Sequence, residues 1–193
     1  MGGTFDPVHY GHINTAKDAA ARMGLSEVLF IPSGTPSHKG TSTDPNIRYS
    51  MLLEAIKGYN TFKISDIEIN RSGFTYTIDT LRELTGTFGI TEIIYLIGAD
   101  VVRELDTWRD YKEVFKLCRF AAMQRPGYPS DSFKADIEKM SALGADIFSV
   151  EVSQMDISSR IIREKIKNKE SVHGLLPEEV IGIIERERLY VDL

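Results

Sequence analysis

Met1-Gly-Gly-Thr-Phe-Asp-Pro-Val-His-Tyr-Gly-His12 opens the chain and runs directly into a helical pattern. Two glycines, a turn-forming Asp6-Pro7 and two histidines three apart place backbone N–H groups and imidazoles around one point at a helix N-terminus. Such a point favours anions. The first helical N–H groups lack intrahelical partners, and the helix dipole adds partial positive charge. The natural ligand is a polyphosphate. Gly2 and Gly3 are expected to allow close backbone approach and positive φ. Gly11 is expected to leave room between His9 and His12 for a substrate. Phosphate-binding glycines of this kind leave a buried parallel strand, yet Met1 adjoins Gly2. The reading therefore expects a truncated first strand, with either an upstream start or an open central slot beside the strands at 27–31 and 92–97.

Outward from this segment, apolar strand-like runs alternate with amphipathic helical patterns, which argues for an α/β fold with a parallel sheet. Helices are expected at 13–23, closed by Gly24, and at 46–56, 77–84, 133–143, 158–167 and 177–188. Strands are expected at 27–31, 92–97, 119–124 and 145–152, with a looser alternation over 62–69. A loop rich in Ser, Thr, Gly and Pro fills 32–45. Ligands of such sheets bind beyond the carboxyl ends of the strands, where His9, His12, His38, Lys39, Asp100 and Ser159 fall.

The chain has 193 residues, 42% hydrophobic and 26% charged, with a net charge of −5. That suits one globular domain over 1–193 and gives no general basic surface for nucleic acid. Cys118 is the single cysteine, and its apolar neighbours suggest a buried, inert thiol. No apolar run approaches membrane-spanning length, and the N-terminus has no basic or apolar signal-peptide region. A cytoplasmic enzyme follows as the reading. Homo-oligomerisation stays open.

Five constellations carry chemistry. His9 and His12 read either as a capping or core pair or as stabilisers of charge on a reacting phosphate, which needs positioned donors more than covalent chemistry. Ile157-Ser158-Ser159-Arg160-Ile161-Ile162-Arg163 offers serine N-caps and, one turn on, a guanidinium on the face of Ser159. Hydroxyl, N–H groups and guanidinium would converge on one anion; the plainer alternative is a capped helix with a surface arginine. Gly98 and Asp100 end a strand where a sugar hydroxyl could be received, unless Asp100 merely caps residues 101–105. Pro36-Ser37-His38-Lys39 lies in the loop next to the same face. Thr75 or Thr77 starts the next helix. Trp108, the only tryptophan, reads as core or as a stacking platform.

His9-Tyr10-Gly11-His12 resembles the H-x-G-H signature of the adenylyltransferase superfamily. The whole run from Gly2 is similar to its bacterial nicotinate-mononucleotide adenylyltransferase branch. The resemblance continues through His38-Lys39, Tyr76-Thr77-Ile78-Asp79-Thr80-Leu81, Gly98-Ala99-Asp100, Trp108, and the Ile157 to Arg163 motif, and covers residues 2–190. It departs at Ser37, where proline is usual, and at Arg160, where threonine is usual; Arg160 either adds a phosphate contact or points to solvent. The resemblance implies a Rossmann-like parallel sheet with helices on both faces. It implies ATP binding by Gly3, Thr4, Phe5, His9, His12, Gly98, Asp100, Ile157, Ser158, Ser159 and Arg163, with His9, His12 and Arg163 catalytic. Mononucleotide binding would fall to His38, Lys39, Tyr76, Thr77 and Trp108. The implied activity adenylylates nicotinate mononucleotide with ATP. No carboxylate cage stands out, so Mg²⁺ would ride on the triphosphate. The rivals are a pantetheine-phosphate adenylyltransferase, whose motif usually has Thr at the place of His9, and a catalytically silent nucleotide-binding protein.

Overall fold

A computed structural model describes residues 1–36, 43–124, 130–153 and 155–191. The first part of the chain runs β1 (Gly2–Gly3), α1 (Tyr10–Met23), β2 (Val28–Pro32), β3 (Thr35–Pro36), α2 (Pro45–Ile56), β4 (Phe62–Ile64), β5 (Phe74–Thr75) and α3 (Thr77–Gly86). The second part runs β6 (Ile94–Gly98), α4 (Ala99–Val102), a 3₁₀ turn (Leu105–Thr107), α5 (Tyr111–Leu117), β7 (Arg119–Gln124), α6 (Ser130–Ala142), β8 (Ile147–Glu151), α7 (Ser159–Lys167) and α8 (Glu178–Arg186).

Among the described residues every strand pairing is parallel. The strand orders are β1-β2-β4, β6-β7-β8 and the small pair β3-β5. Side chains alternate across each strand, and β7 shows the consequence. Ala121 and Met123 enter one core with side chains of α1, α2, α7 and α8. Phe120 and Ala122 enter the other with side chains of α3, α4, α5 and α6. Helices therefore cover both faces, as a doubly wound sheet requires. Among the described residues no helix is long and apolar enough to cross a membrane.

Three local expectations change. The alternation over 62–69 is a strand only at Phe62–Ile64. The chain then turns, with Asn70 N–H donating to Asp66 O at 3.0 Å, and Ile67 packs with Ile31 and Leu84 in a separate small cluster. α4 and α5 were not anticipated, because four and seven residues are too few to show a helical period. α1 begins at Tyr10 rather than residue 13, and Gly24 closes it at φ 63 as expected.

A cavity of about 430 Å³ lies between β2 and β6, lined by Leu29, Ile31, Leu84, Ile94 and Leu96 together with Met1. β1 pairs with β2 alone, at Gly2–Ile31 and Gly3–Pro32. Met1 extends that ladder by one residue: its ammonium donates to Leu29 O at 2.8 Å, and its carbonyl accepts from Ile31 N–H at 3.0 Å.

Candidate active site

His9 is the N-cap of α1, in extended backbone. Its N–H donates to His12 Nδ1 at 3.3 Å. With Nδ1 accepting, a neutral His12 carries its proton on Nε2, which is then a donor. The two imidazoles stack at 3.7 Å between centroids and 27° between planes. No substrate fits between rings that close, so the expected role of Gly11 is corrected. A Cβ at Gly11 would stand 2.9 Å from the His9 ring; the glycine makes room for the histidine itself. The pair also divides its labour. His9 is 4% exposed, while His12 lines a cavity of about 330 Å³ with Gly2, Gly98, Asp100 and Trp108.

The other two glycines follow the same rule. Neither Gly2 nor Gly3 has positive φ. A Cβ at Gly2 would meet the Tyr95 hydroxyl at 2.5 Å, and one at Gly3 would meet the Phe5 ring at 3.1 Å. The left-handed residue of the loop is Phe5, at φ 51. Its ring is 2% exposed and stands edge-on to His12 at 5.0 Å. Phe5 thus supports His12 from the core, and only its backbone could face a nucleotide. Thr4 likewise turns its carbonyl inward, to Arg48.

The N-terminus of α7 docks on the next two residues. Ser158 caps the helix, accepting from Ile161 N–H at 3.2 Å, and Ile157 is buried beside it. Ser159 Oγ donates to Pro7 O at 2.9 Å, and Arg163 Nη1 donates to Asp6 O at 2.7 Å. The expected convergence of hydroxyl and guanidinium on one anion is therefore only partial. Both hold loop carbonyls, so what could meet a phosphate is the N–H groups of Ser159 and Arg160, ahead of the capped Ile161, and the rest of the guanidinium. Arg160 is exposed and sits 3.9 Å from Glu164, so it points to solvent.

On the opposite wall Gly98 is the N-cap of α4, with Asp100 inside its first turn. Asp100 does not cap residues 101–105; its Oδ1 folds back to 2.5 Å from where a Cβ of Gly98 would be. Trp108 is half-buried, edge-on to Tyr95 at 5.9 Å and Phe120 at 6.3 Å, so it is core and cavity wall together. Tyr76 is the N-cap of α3, and Thr77 its first residue. Thr75 starts no helix: its hydroxyl donates to Thr35 O at 3.3 Å. Thr77 hydrogen-bonds the Tyr95 hydroxyl, whose burial holds that phenol well above its ordinary range. The Arg109 guanidinium lies over the Tyr76 ring at 4.7 Å. His38 and Lys39 lie outside the described residues, as does Ser37. Cys118 is buried, which pushes its thiol up to about 12 and fits an inert role. No group of three or more His, Cys, Asp or Glu among the described residues could hold a metal ion.

Sequence reasoning missed Arg48, Asp6 and Tyr190. Arg48 is fully buried and donates only to main-chain carbonyls: Thr43 at 3.2 Å, Thr4 at 2.7 Å, Ser33 at 2.6 Å and Gly34 at 2.9 Å. Its signal was available, since position 48 falls on the stripe of Met51, Leu52 and Ala55, and a charge on an apolar stripe asks for partners. Tyr190, close to the other end of the chain, donates to Asp6 Oδ1 at 2.6 Å and accepts from Thr43 Oγ1 at 3.4 Å. No local pattern could have announced that contact.

Comparisons with known proteins agree with this geometry. The family described as Cytidylyltransferase-like matches residues 1–165. A probable nicotinate-nucleotide adenylyltransferase of Clostridium novyi (strain NT) is 37% identical over 193 residues, covering 98% of this chain and 96% of its own. One from Thermoanaerobacter sp. (strain X514) is 40% identical over 194 residues, covering 98% and 92%. In three dimensions the chain resembles Plasmodium falciparum nicotinic acid mononucleotide adenylyltransferase complexed with NaAD. The TM-score is 0.80 at 17% identity, over 98% of this chain and 94% of that one, a likeness of fold alone. This chain belongs to the cytidylyltransferase-like family and, within it, to the nicotinate-nucleotide adenylyltransferases.

Proposed function

We propose that this chain, as one nucleotidyltransferase domain over 1–193, transfers the adenylyl group of ATP to nicotinate mononucleotide. The products are deamido-NAD and pyrophosphate, and the reaction is a step of NAD biosynthesis in the cytoplasm. The observation that carries the reading is identity of 40% along almost the whole chain to a relative of that name. The phosphate of the mononucleotide attacks the α-phosphorus of ATP in line; a new P–O bond forms as the bond to the pyrophosphate oxygen breaks. The attacking oxygen is already anionic, so no protein nucleophile or base is required.

The residues then act by binding and by stabilising charge. His12 donates from Nε2 to the α-phosphate, and His9, stacked beneath it, holds that ring in place. Main-chain groups of Gly3, Thr4 and Phe5 shape the loop around the phosphates. Ile157, Ser158 and Ser159 set the α7 N-terminus, which with Arg163 receives the β- and γ-phosphates. Gly98 and Asp100 take the adenosine. The nicotinate ring stacks on Trp108, and its carboxylate meets the α3 N-terminus at Tyr76 and Thr77. His38 and Lys39 bind the mononucleotide phosphate. Mg²⁺, when bound, would ride on the triphosphate and would offset part of its charge.

The test is turnover of ATP with nicotinate mononucleotide, nicotinamide mononucleotide and phosphopantetheine. A site built around one polar group rejects an analogue lacking it by orders of magnitude. We expect kcat/KM for the nicotinate form to exceed that for the amide by roughly 10²-fold or more, with no product from phosphopantetheine. Equal values for the two pyridine mononucleotides contradict the assignment.

A further inference from the structure

Asp6 is held from two sides. Its carboxyl accepts from the Tyr190 hydroxyl at 2.6 Å, and its carbonyl accepts from Arg163 Nη1 at 2.7 Å. Asp6 and Tyr190 are both buried. A bond that short between a hydroxyl and a carboxyl oxygen falls in the charge-assisted range. Burial and then the hydrogen bond to Asp6 hold the phenol well above its ordinary range, so Tyr190 stays the donor. Thr43 Oγ1 donates to the same hydroxyl at 3.4 Å, which leaves the phenolic proton for Asp6. The Tyr190 ring belongs to the apolar cluster of Val8, Ile162 and Val180. The hydroxyl is therefore fixed by packing behind it and by hydrogen bonds in front.

What Tyr190 holds is joined directly to the groups assigned to the phosphates. Arg163 lies on α7 one turn after Ser159, whose Oγ holds Pro7 O. A guanidinium is a planar fork of five N–H donors. With one prong fixed on Asp6 O, the direction of the others is set. On the other side of Asp6, the Phe5 ring backs His12 at 5.0 Å. Without the phenolic donor the buried Asp6 carboxyl loses a partner that burial demands, and its side chain must turn toward another. The residue that turns is the one whose carbonyl anchors Arg163.

We propose that Tyr190 is a positioning residue of the triphosphate site: by holding Asp6 it fixes the carbonyl that aims Arg163 at the β- and γ-phosphates of ATP, while touching neither substrate. This inference rests on the proposed use of ATP as adenylyl donor. A wild-type protein that binds ATP but forms no deamido-NAD contradicts the proposed transfer, and the affinities below still decide on Tyr190. A wild type that binds no ATP overturns both.

The experiment is calorimetric titration of ATP and of nicotinate mononucleotide into the wild type, Tyr190→Phe, Arg163→Ala and the double variant. Phenylalanine keeps the ring in the core and removes only the hydroxyl. We expect Tyr190→Phe to weaken ATP about tenfold, with the mononucleotide within about twofold of wild type. In the Arg163→Ala background the same substitution should change ATP affinity by less than about twofold. A route through Arg163 requires that loss of additivity, whereas a merely structural role weakens binding alike in both backgrounds. An undiminished loss in the Arg163→Ala background, an equal loss for both ligands, or no loss at all overturns the proposal. Should Tyr190→Phe fail to fold, Asp6→Asn takes its place. Its amide oxygen accepts a weaker bond than a carboxylate, so the same pattern is expected with a loss of about threefold. A loss that persists when Arg163 is absent, or no loss, overturns the proposal there as well.

Discussion

The β6-β7-β8 half of the molecule is held by its ladders, and the β1-β2-β4 half by its side chains. In the first, five residues of each strand pair in unbroken register, from Ile94–Arg119 to Gly98–Met123 and from Phe120–Ile147 to Gln124–Glu151. Its core is apolar on both faces. In the second, β1 pairs over two residues and β4 over three. What strand pairing does not supply there comes from Arg48, Asp6, Tyr190, Ser159 and Arg163, each bonded to a loop carbonyl or to its neighbour. A ladder fixes strands and leaves loops to themselves. Side chains aimed at carbonyls fix a loop, and the loop is what must be rigid where charge is to be stabilised. The cost is buried polar groups, which a ladder-built half avoids.

The largest effect on stability alone should come from the ladder-built half. Phe133 of α6 is 1% exposed in the apolar core and does not itself line the histidine cavity. Phe133→Ala is expected to cost about 3–5 kcal/mol by lost burial and a residual cavity, lowering Tm by on the order of 10 °C. The folded fraction should keep both KM values. A thermal melt and steady-state assays check this. If Phe133→Ala raises the mononucleotide KM by about tenfold or more, the two halves are not distinct in the way described.

Next in size is a pH effect in the side-chain-built half. Burial raises the Glu68 carboxyl, so its contribution to stability is fully present below the unfolded value and is lost as pH climbs from there through the folded one. Thr80 Oγ1 donates to Glu68 Oε1 at 2.8 Å, a bond that Glu68→Gln can keep without the titration. Urea melts at intervals from about pH 4 to 7 should show the falling slope in the wild type and its loss in Glu68→Gln. An identical slope in both refutes the assignment to Glu68.

The ladder-built half was the more legible of the two. The apolar runs at 92–97 and 119–124 fall on β6 and β7 within a residue or two, because buried parallel strands are read from local composition. Ser158 was legible as a helix cap, and His12 and Trp108, both singled out in the sequence, line one cavity. The glycines were found for the wrong reason. Positions 2, 3 and 11 need the absence of a Cβ beside Tyr95, Phe5 and His9, and the partner of Gly2 is more than ninety residues away in sequence. Tyr190 to Asp6 is farther still. Contacts set by tertiary approach leave no local period, whereas Arg48, a charge on an apolar stripe, did leave one.

The remaining prediction asks whether the loop-fixing bonds serve the reaction or only the fold. His12 is the point where they converge. Phe5 stands against one edge of its ring, and His9 lies across its face and donates to its Nδ1. These contacts fix the ring's direction and tautomer before any ligand arrives. A donor held so pays no reorganisation cost when charge develops on the phosphate, and removing one such donor typically lowers kcat by about 10²–10³-fold. His12→Ala should show that loss with the mononucleotide's affinity near its wild-type value, because the ground state does not depend on the same interaction. Its Tm should change by far less than that of Phe133→Ala, since the His12 ring borders a cavity and leaves little unfilled core behind. Single-turnover rates and equilibrium binding of nicotinate mononucleotide to the same preparation make the comparison. A folded His12→Ala protein with near-normal turnover would mean that Phe5, His9 and the α7 contacts stabilise a loop with no part in the chemistry.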